Sequence, residues 1–250
     1  MKIRLLVITF CIVCFSVFFG CSKSMPTNGD YGEYAKAIQK EDLDKVKQIN
    51  KKFGDLVVTN IDLFGNSYNP LEMAALYNAN SIVLYLLENN ADPNAKSPRS
   101  NDPIVFAIID IQNYYAIDKM LQFGLNVDVF DSIGHSLLGI TASTGNLELL
   151  SLILANVESI NVVDYKSTNA LFYAVLSGST QCVDLLLSKG INIDQVDNEG
   201  NTSLMYAIGL KNREMIKILL AYGANTKIVN NMGNNAEMIA EILQLYDIGF

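Results

Sequence analysis

The chain has 250 residues, half of them hydrophobic and 18% charged, with 26 acidic against 18 basic residues and a formal net charge of −8. That much apolar side chain and so little charge exclude a disordered polypeptide. An acidic chain without a basic face is excluded as a nucleic-acid binder, because neutralising phosphates needs clustered Lys and Arg.

In chain order, Met1-Lys2-Ile3-Arg4 precedes an apolar run from Leu5 to Phe19 and then Gly20-Cys21-Ser22. Positive charge ahead of a short apolar core is the make-up of a secretory signal. At about 1.5 Å per residue, the run of about 15 residues falls short of the roughly 30 Å hydrocarbon layer. An uncleaved signal-anchor and a plain secretory leader remain open beside a third reading. Val17-Phe18-Phe19-Gly20-Cys21 resembles the box of bacterial lipoproteins, in which a small residue precedes the Cys; Phe18 and Phe19 are bulkier than the residues usual there. The resemblance implies cleavage after residue 20, acyl chains on Cys21, and a protein lipid-anchored in the bacterial cell envelope, periplasmic or surface-exposed. Each buried acyl CH₂ contributes on the order of 0.8 kcal/mol, so several chains anchor firmly. Without Lys2 and Arg4 the remainder carries a net charge of about −10. Ser22 to Gly32 is small, polar and Gly/Pro-containing, so 1–20 is expected to be the signal, 21–33 a flexible tether, and 34–250 a single array.

Tyr34 to Lys52 carries Ala37-Ile38 and then Leu43, Val46 and Ile49 at helical spacing, with Lys, Asp and Glu between them, as a capping unit with one solvated side requires. A long turn follows, Asp62-Leu63-Phe64-Gly65-Asn66-Ser67-Tyr68-Asn69-Pro70. From there the sequence repeats itself. A small residue returns at Ala74, Ala107, Thr141, Ala174, Ala207 and Ala240, in steps of 33 or 34. An apolar pair returns at Leu86-Leu87, Met120-Leu121, Ile153-Leu154, Leu186-Leu187 and Leu219-Leu220. Each unit holds two short helix-period patterns, the second starting after Gly145-Asn146 or its equivalent. Asn90, Gly124, Gly190 and Gly223 stand where the second helix must stop in a left-handed conformation. Asp131, Asp164 and Asp197 then open the turn to the next unit. The segment Ser97-Pro98-Arg99-Ser100-Asn101-Asp102-Pro103 has lost the Asp and Gly of that turn, and one extra residue lies near Gln112. Asn230 to Leu245 closes the array as a C-terminal cap.

A fixed period of this size marks a solenoid, and D-x-x-G-x-T-P-L-x-x-A-A-x-x-G-N-x-E is best kept from Asp131 to Glu148 and again from Asp197 to Ala207. The chain resembles the ankyrin-repeat family over roughly residues 34 to 245. The resemblance implies an all-α solenoid of about six helix-turn-helix repeats joined by β-hairpin loops, plus the cap. It departs in one place: the family's His after Pro-Leu is replaced by Glu72, Val105, Gly139, Phe172, Met205 and Met238, which implies looser or more apolar hairpins.

Nothing in the chain assembles a catalytic set. His135 stands alone without a Cys or His cluster and reads as a surface residue at a hairpin tip. Cys11 and Cys14 lie in the leader, and Cys182 replaces an aliphatic core residue. The acid pair Asp194 and Asp197 belongs to turns, and no G-x-x-x-x-G-K-[ST] loop exists. No cofactor, metal or small-molecule substrate is expected. In the resembled family the hairpin tips and the exposed side of the first helices line a concave face that binds a protein partner. The positions left free there include Phe64, Tyr77, Ile133, His135, Tyr165, Lys166, Glu199 and Leu210. Several are apolar or aromatic where folding asks only for polarity, the usual material of binding hot spots. The expected function is a non-enzymatic, membrane-anchored scaffold for a protein partner. A structural or protective role toward a neighbouring envelope enzyme, and a secreted effector acting on host proteins, are the alternatives.

Overall fold

In this computed structural model, which describes residues 26–245 apart from 55, 58, 59, 64 and 65, the period becomes pairs of short antiparallel helices. Asn28–Gln39 (α1) and Leu43–Phe53 (α2) form the first pair, Pro70–Leu76 (α3) and Asn80–Glu88 (α4) the second, and Ile104–Asp110 (α5) and Tyr114–Gln122 (α6) the third. Leu137–Ser143 (α7) with Leu147–Leu154 (α8), Ala170–Ser177 (α9) with Thr180–Ser188 (α10), and Ser203–Gly209 (α11) with Arg213–Ala221 (α12) follow. Ala236–Ile242 (α13) is a lone helix among the described residues.

Short polar side chains start these helices. Asn69, Ser136, Asn169, Thr202 and Asn235 each accept a backbone N–H from the first turn of a first helix, and Asp42, Asn113, Asn146, Ser179 and Asn212 do so for second helices. Each such cap is worth about 1 kcal/mol, which matters because helices of seven to nine residues are too short to persist alone. The turn inside each pair needs one left-handed residue, and only two of six are glycine: Glu41, Asn78, Gln112, Gly145, Gly178 and Lys211. Asn90, Gly124, Gly190 and Gly223 end their second helices with positive φ, as expected from the sequence.

First helices pack on first helices and second on second, giving two layers. The small residues explain the spacing of the first layer: Ala74, Thr141, Ala174 and Ala207 are fully buried between neighbours. Leu86, Ile117, Met120, Leu150, Ile153, Leu186 and Leu219 fill the second layer and are equally buried. Neither layer closes on its own, so each pair covers its apolar face only by stacking.

Two expectations need correction. The segment read as a tether is helical from Asn28 onward. Thr27 accepts the Asp30 N–H while the Asp30 carboxylate accepts the Thr27 N–H at 2.9 Å, and this capping box starts α1 within a Gly-containing stretch. The hairpins, expected to be looser or more apolar without the family's His, are instead tied down by polar bonds. Asp164 and Asp197 each accept two backbone N–H groups of their own turn, at 2.8 to 2.9 Å. Their second oxygens accept the phenol O–H of Tyr173 and Tyr206, which stand one residue beyond the vacated His position.

The connections themselves are brief. Ile61–Leu63 (β1) pairs antiparallel with Asn66–Tyr68 (β2), Ile61 facing Tyr68. Lys96 with Pro103, Phe130 with Ser136 and Val196 with Thr202 make single bridges.

Candidate protein-binding face

The hairpin tips are joined into one continuous edge. The Tyr165 N–H donates to the Gly134 carbonyl at 3.1 Å, the Asn198 N–H to Lys166 at 2.9 Å and the Asn231 N–H to Glu199 at 2.9 Å. Asparagine amides reinforce the ladder: Asn198 Nδ2 donates to the Tyr165 carbonyl and Asn231 Nδ2 to the Asn198 carbonyl, at 3.1 and 3.0 Å. The backbones of successive tips from Gly134 to Asn231 are therefore held at fixed mutual positions.

Of the residues expected on this face, Tyr77, Ile133, Tyr165 and Leu210 are exposed by 52%, 61%, 48% and 52%, more than enough for each to make contacts in a complex. Lys166 and Glu199 are also exposed. Lys166 Nζ sits 5.3 Å from the centre of the Tyr165 ring, so the two share one patch. Glu199 and Leu210 line a common groove of about 470 Å³ with Met205, Met232, Ile239 and Ile242. Tyr77 lines a second groove of about 280 Å³ with Tyr68, Glu72, Leu76 and Arg99. Phe64, like the proposed lipidation site Cys21, lies outside the described residues.

His135 differs from the expectation. It is turned inward rather than offered at the tip, with its side chain only 20% exposed. Its Nδ1 lies 2.8 Å from Asp131 Oδ2, and its ring meets Tyr165 edge-on at 5.1 Å and Tyr173 at 6.3 Å. Burial alone raises the Asp131 carboxyl, but the His135 ring and the His135 and Gly134 N–H groups outweigh it and hold the carboxyl below its usual range. His135 thus braces the tip and backs the exposed Tyr165 ring.

Other exposed apolar side chains on this face were missed in the sequence. Met232 and Ile242 are 75% and 69% exposed. Met232 continues the position of Ile133, Lys166 and Glu199 in steps of 33, so the same register points to it once the last unit is counted as part of the face rather than as a cap alone. Among the described residues, no group of three His, Cys, Asp or Glu is placed to hold a metal, and no helix is long and apolar enough to cross a membrane. Cys182 is buried in α10.

Comparison with known proteins matches the same stretches. Ankyrin repeats (3 copies) match residues 104–197 and 138–230, and ankyrin repeats (many copies) match 60–107. An ankyrin repeat protein of Acanthamoeba polyphaga mimivirus is 28% identical over 96 residues, which are 36% of this chain and 12% of the viral protein. The chain therefore spans only a small part of that relative. The ankyrin repeat domain of Bcl-3, a member of the IkappaB protein family, superposes with a TM-score of 0.73 at 21% identity, covering 85% of this chain and 97% of that one. The human ASB11 ankyrin repeat domain gives 0.69 at 22% identity, covering 85% and 96%.

Proposed function

The chain belongs to the ankyrin-repeat family, whose arrays are protein-interaction scaffolds and typically carry no enzyme activity, and from that premise we propose that it holds one protein partner on the concave face formed by its hairpin tips and first helices. The observation that carries this reading is half-exposed Ile133 and Tyr165 at the joined tips, with Tyr77 and Leu210 equally exposed at the C-terminal ends of the first helices α3 and α11. About half of each of these side chains stays in water after folding, and aromatic and large aliphatic anchors supply most of the energy of protein interfaces. Exchanging Tyr77 and Tyr165 together for alanine is expected to weaken partner capture at least ten-fold, each truncated anchor costing about 1–2 kcal/mol. The melting temperature should fall by no more than a few degrees, because the two half-exposed rings together contribute about 1 kcal/mol to folding. Undiminished capture by the double variant rules out the face.

The leader supports a place for this activity. The apolar run Leu5–Phe19 and the stretch Val17-Phe18-Phe19-Gly20-Cys21 favour acylation of Cys21, which would hold the array at a membrane of the bacterial envelope. Metabolic labelling with a fatty acid should mark the wild type and not Cys21→Ser; an unlabelled wild type removes the anchor.

A further inference from the structure

Glu72 occupies the place of the family's His in the second unit, and it is 3% exposed. A carboxylate so buried gives up hydration that a counter-charge or hydrogen bonds must replace. Its backbone N–H is capped by Asn69 at 3.0 Å, but among the described residues no hydrogen bond reaches the carboxylate itself. The nearest cation is Arg99, whose Nη2 lies 4.0 Å from Glu72 Oε1 and whose side chain is 53% exposed. The guanidinium stands 5.4 Å from the centre of the Tyr68 ring, at the mouth of the groove of about 280 Å³ that Glu72 lines with Tyr68, Met73, Leu76 and Tyr77. A positive group is therefore drawn to this opening by a carboxylate and an aromatic ring, yet the planar guanidinium remains outside hydrogen-bond range of Glu72.

We propose that the groove between the second and third units takes a lysine side chain of the protein partner, with Glu72 as its counter-ion; this rests on the partner-binding reading of the same face. A primary ammonium is a compact point charge with three donors on a slim apolar stem. Its methylenes would run along Met73 and Leu76, its head would reach the Glu72 oxygens, and the exposed Tyr77 ring would flank it. Arg99 then acts as a tethered stand-in that the partner's lysine displaces, so removing it should open the site rather than abolish it.

The test titrates N-acetyl-lysine-methylamide into the full chain while the Met73 methyl resonance is followed. A saturable shift is expected, several-fold tighter in Arg99→Ala. It should be roughly ten-fold or more weaker in Glu72→Gln, and equally weak with the Nε-acetylated probe, as loss of a charge-assisted hydrogen bond predicts. Equal binding of the acetylated probe overturns the proposal, as does the absence of a shift in both the wild type and Arg99→Ala. If Glu72→Gln does not fold, the acetylated probe and Arg99→Ala still decide. Partner capture lost with the Tyr77 and Tyr165 exchanges but unchanged in a folded Glu72→Gln would sink the lysine site and leave the face intact; capture indifferent to the tyrosines would sink the face, while the probe titration judges the site independently.

Discussion

Shortening Leu186 to alanine is expected to lower unfolding stability by about 2–5 kcal/mol, the range for removing a large aliphatic side chain from a sealed core. Leu186 is fully buried in α10, and the second-helix layer passes on both sides of it, to α8 and to α12. The vacated volume has no loop to collapse into, so the loss includes a cavity as well as the missing transfer energy. Because each unit is supported only by its neighbours, the damage falls on the junctions at both sides of the fifth unit. Denaturant melts should show a lower midpoint together with a broader transition, as the last units begin to unfold apart from the first. Leu176→Ala, in the same unit but 52% exposed, should change the unfolding stability by no more than about 0.5 kcal/mol. Equal effects of the two substitutions would mean that burial between units is not what holds this chain together.

Asp197→Ala is expected to cost about 2–3 kcal/mol, more than a polar hairpin substitution usually does. Asp197 is 8% exposed and accepts the Glu199 and Asn201 N–H groups at 2.9 and 2.8 Å and the Tyr206 O–H at 2.8 Å. Alanine strands all three donors, and each unsatisfied buried group costs about 1–3 kcal/mol, reduced here where water reaches the tip. Asp197→Asn should recover most of the loss, since Asn230 already performs this service in the next unit by accepting the Met232 and Asn234 N–H groups at 3.1 and 3.0 Å. The same bond has a signature in alkali. Burial first, and then the Asp197 carboxylate, push the Tyr206 hydroxyl up from 10 to about 12. A folded-state value above the unfolded one contributes stability that is whole below about pH 10 and is lost as pH rises through about 12. Wild type should therefore lose stability across that window, and Asp197→Ala should lose less. Stability measured by denaturant between pH 9 and 12 checks both parts; identical slopes would contradict the assigned bond.

How far the fold could be read in advance depended on which constraints recur. The small residues at Ala74, Thr141, Ala174 and Ala207 and the left-handed Gly124, Gly190 and Gly223 are imposed on every unit by close helix approach and helix termination, so the period announces them. Features used once or twice were harder. The capping box at Thr27 and Asp30 sits in a segment whose glycines and small polar residues argue for a tether, and one local bond set reversed that. Tyr173 and Tyr206 replace the missing His from the neighbouring position, a substitution that pattern alone does not mark. The candidate face was half visible. Register named the exposed Tyr77, Ile133, Tyr165 and Leu210, but it gives no direction to a side chain, and His135 turns inward to Asp131. Glu72 stands out as a departure from the motif, but its burial near Arg99 of the irregular segment 97–103 is a tertiary contact that the pattern does not mark.

The claim that the tips and first helices grip a protein is tested most directly by hydrogen exchange on the full chain, alone and in complex with the protein it retains. Added protection should fall on the hairpins at 131–136, 164–168 and 197–202 and on the ends of the first helices near Tyr77 and Leu210, with α4, α6, α8, α10 and α12 exchanging as before. Protection confined to those second helices would place the partner on the opposite layer and contradict the account.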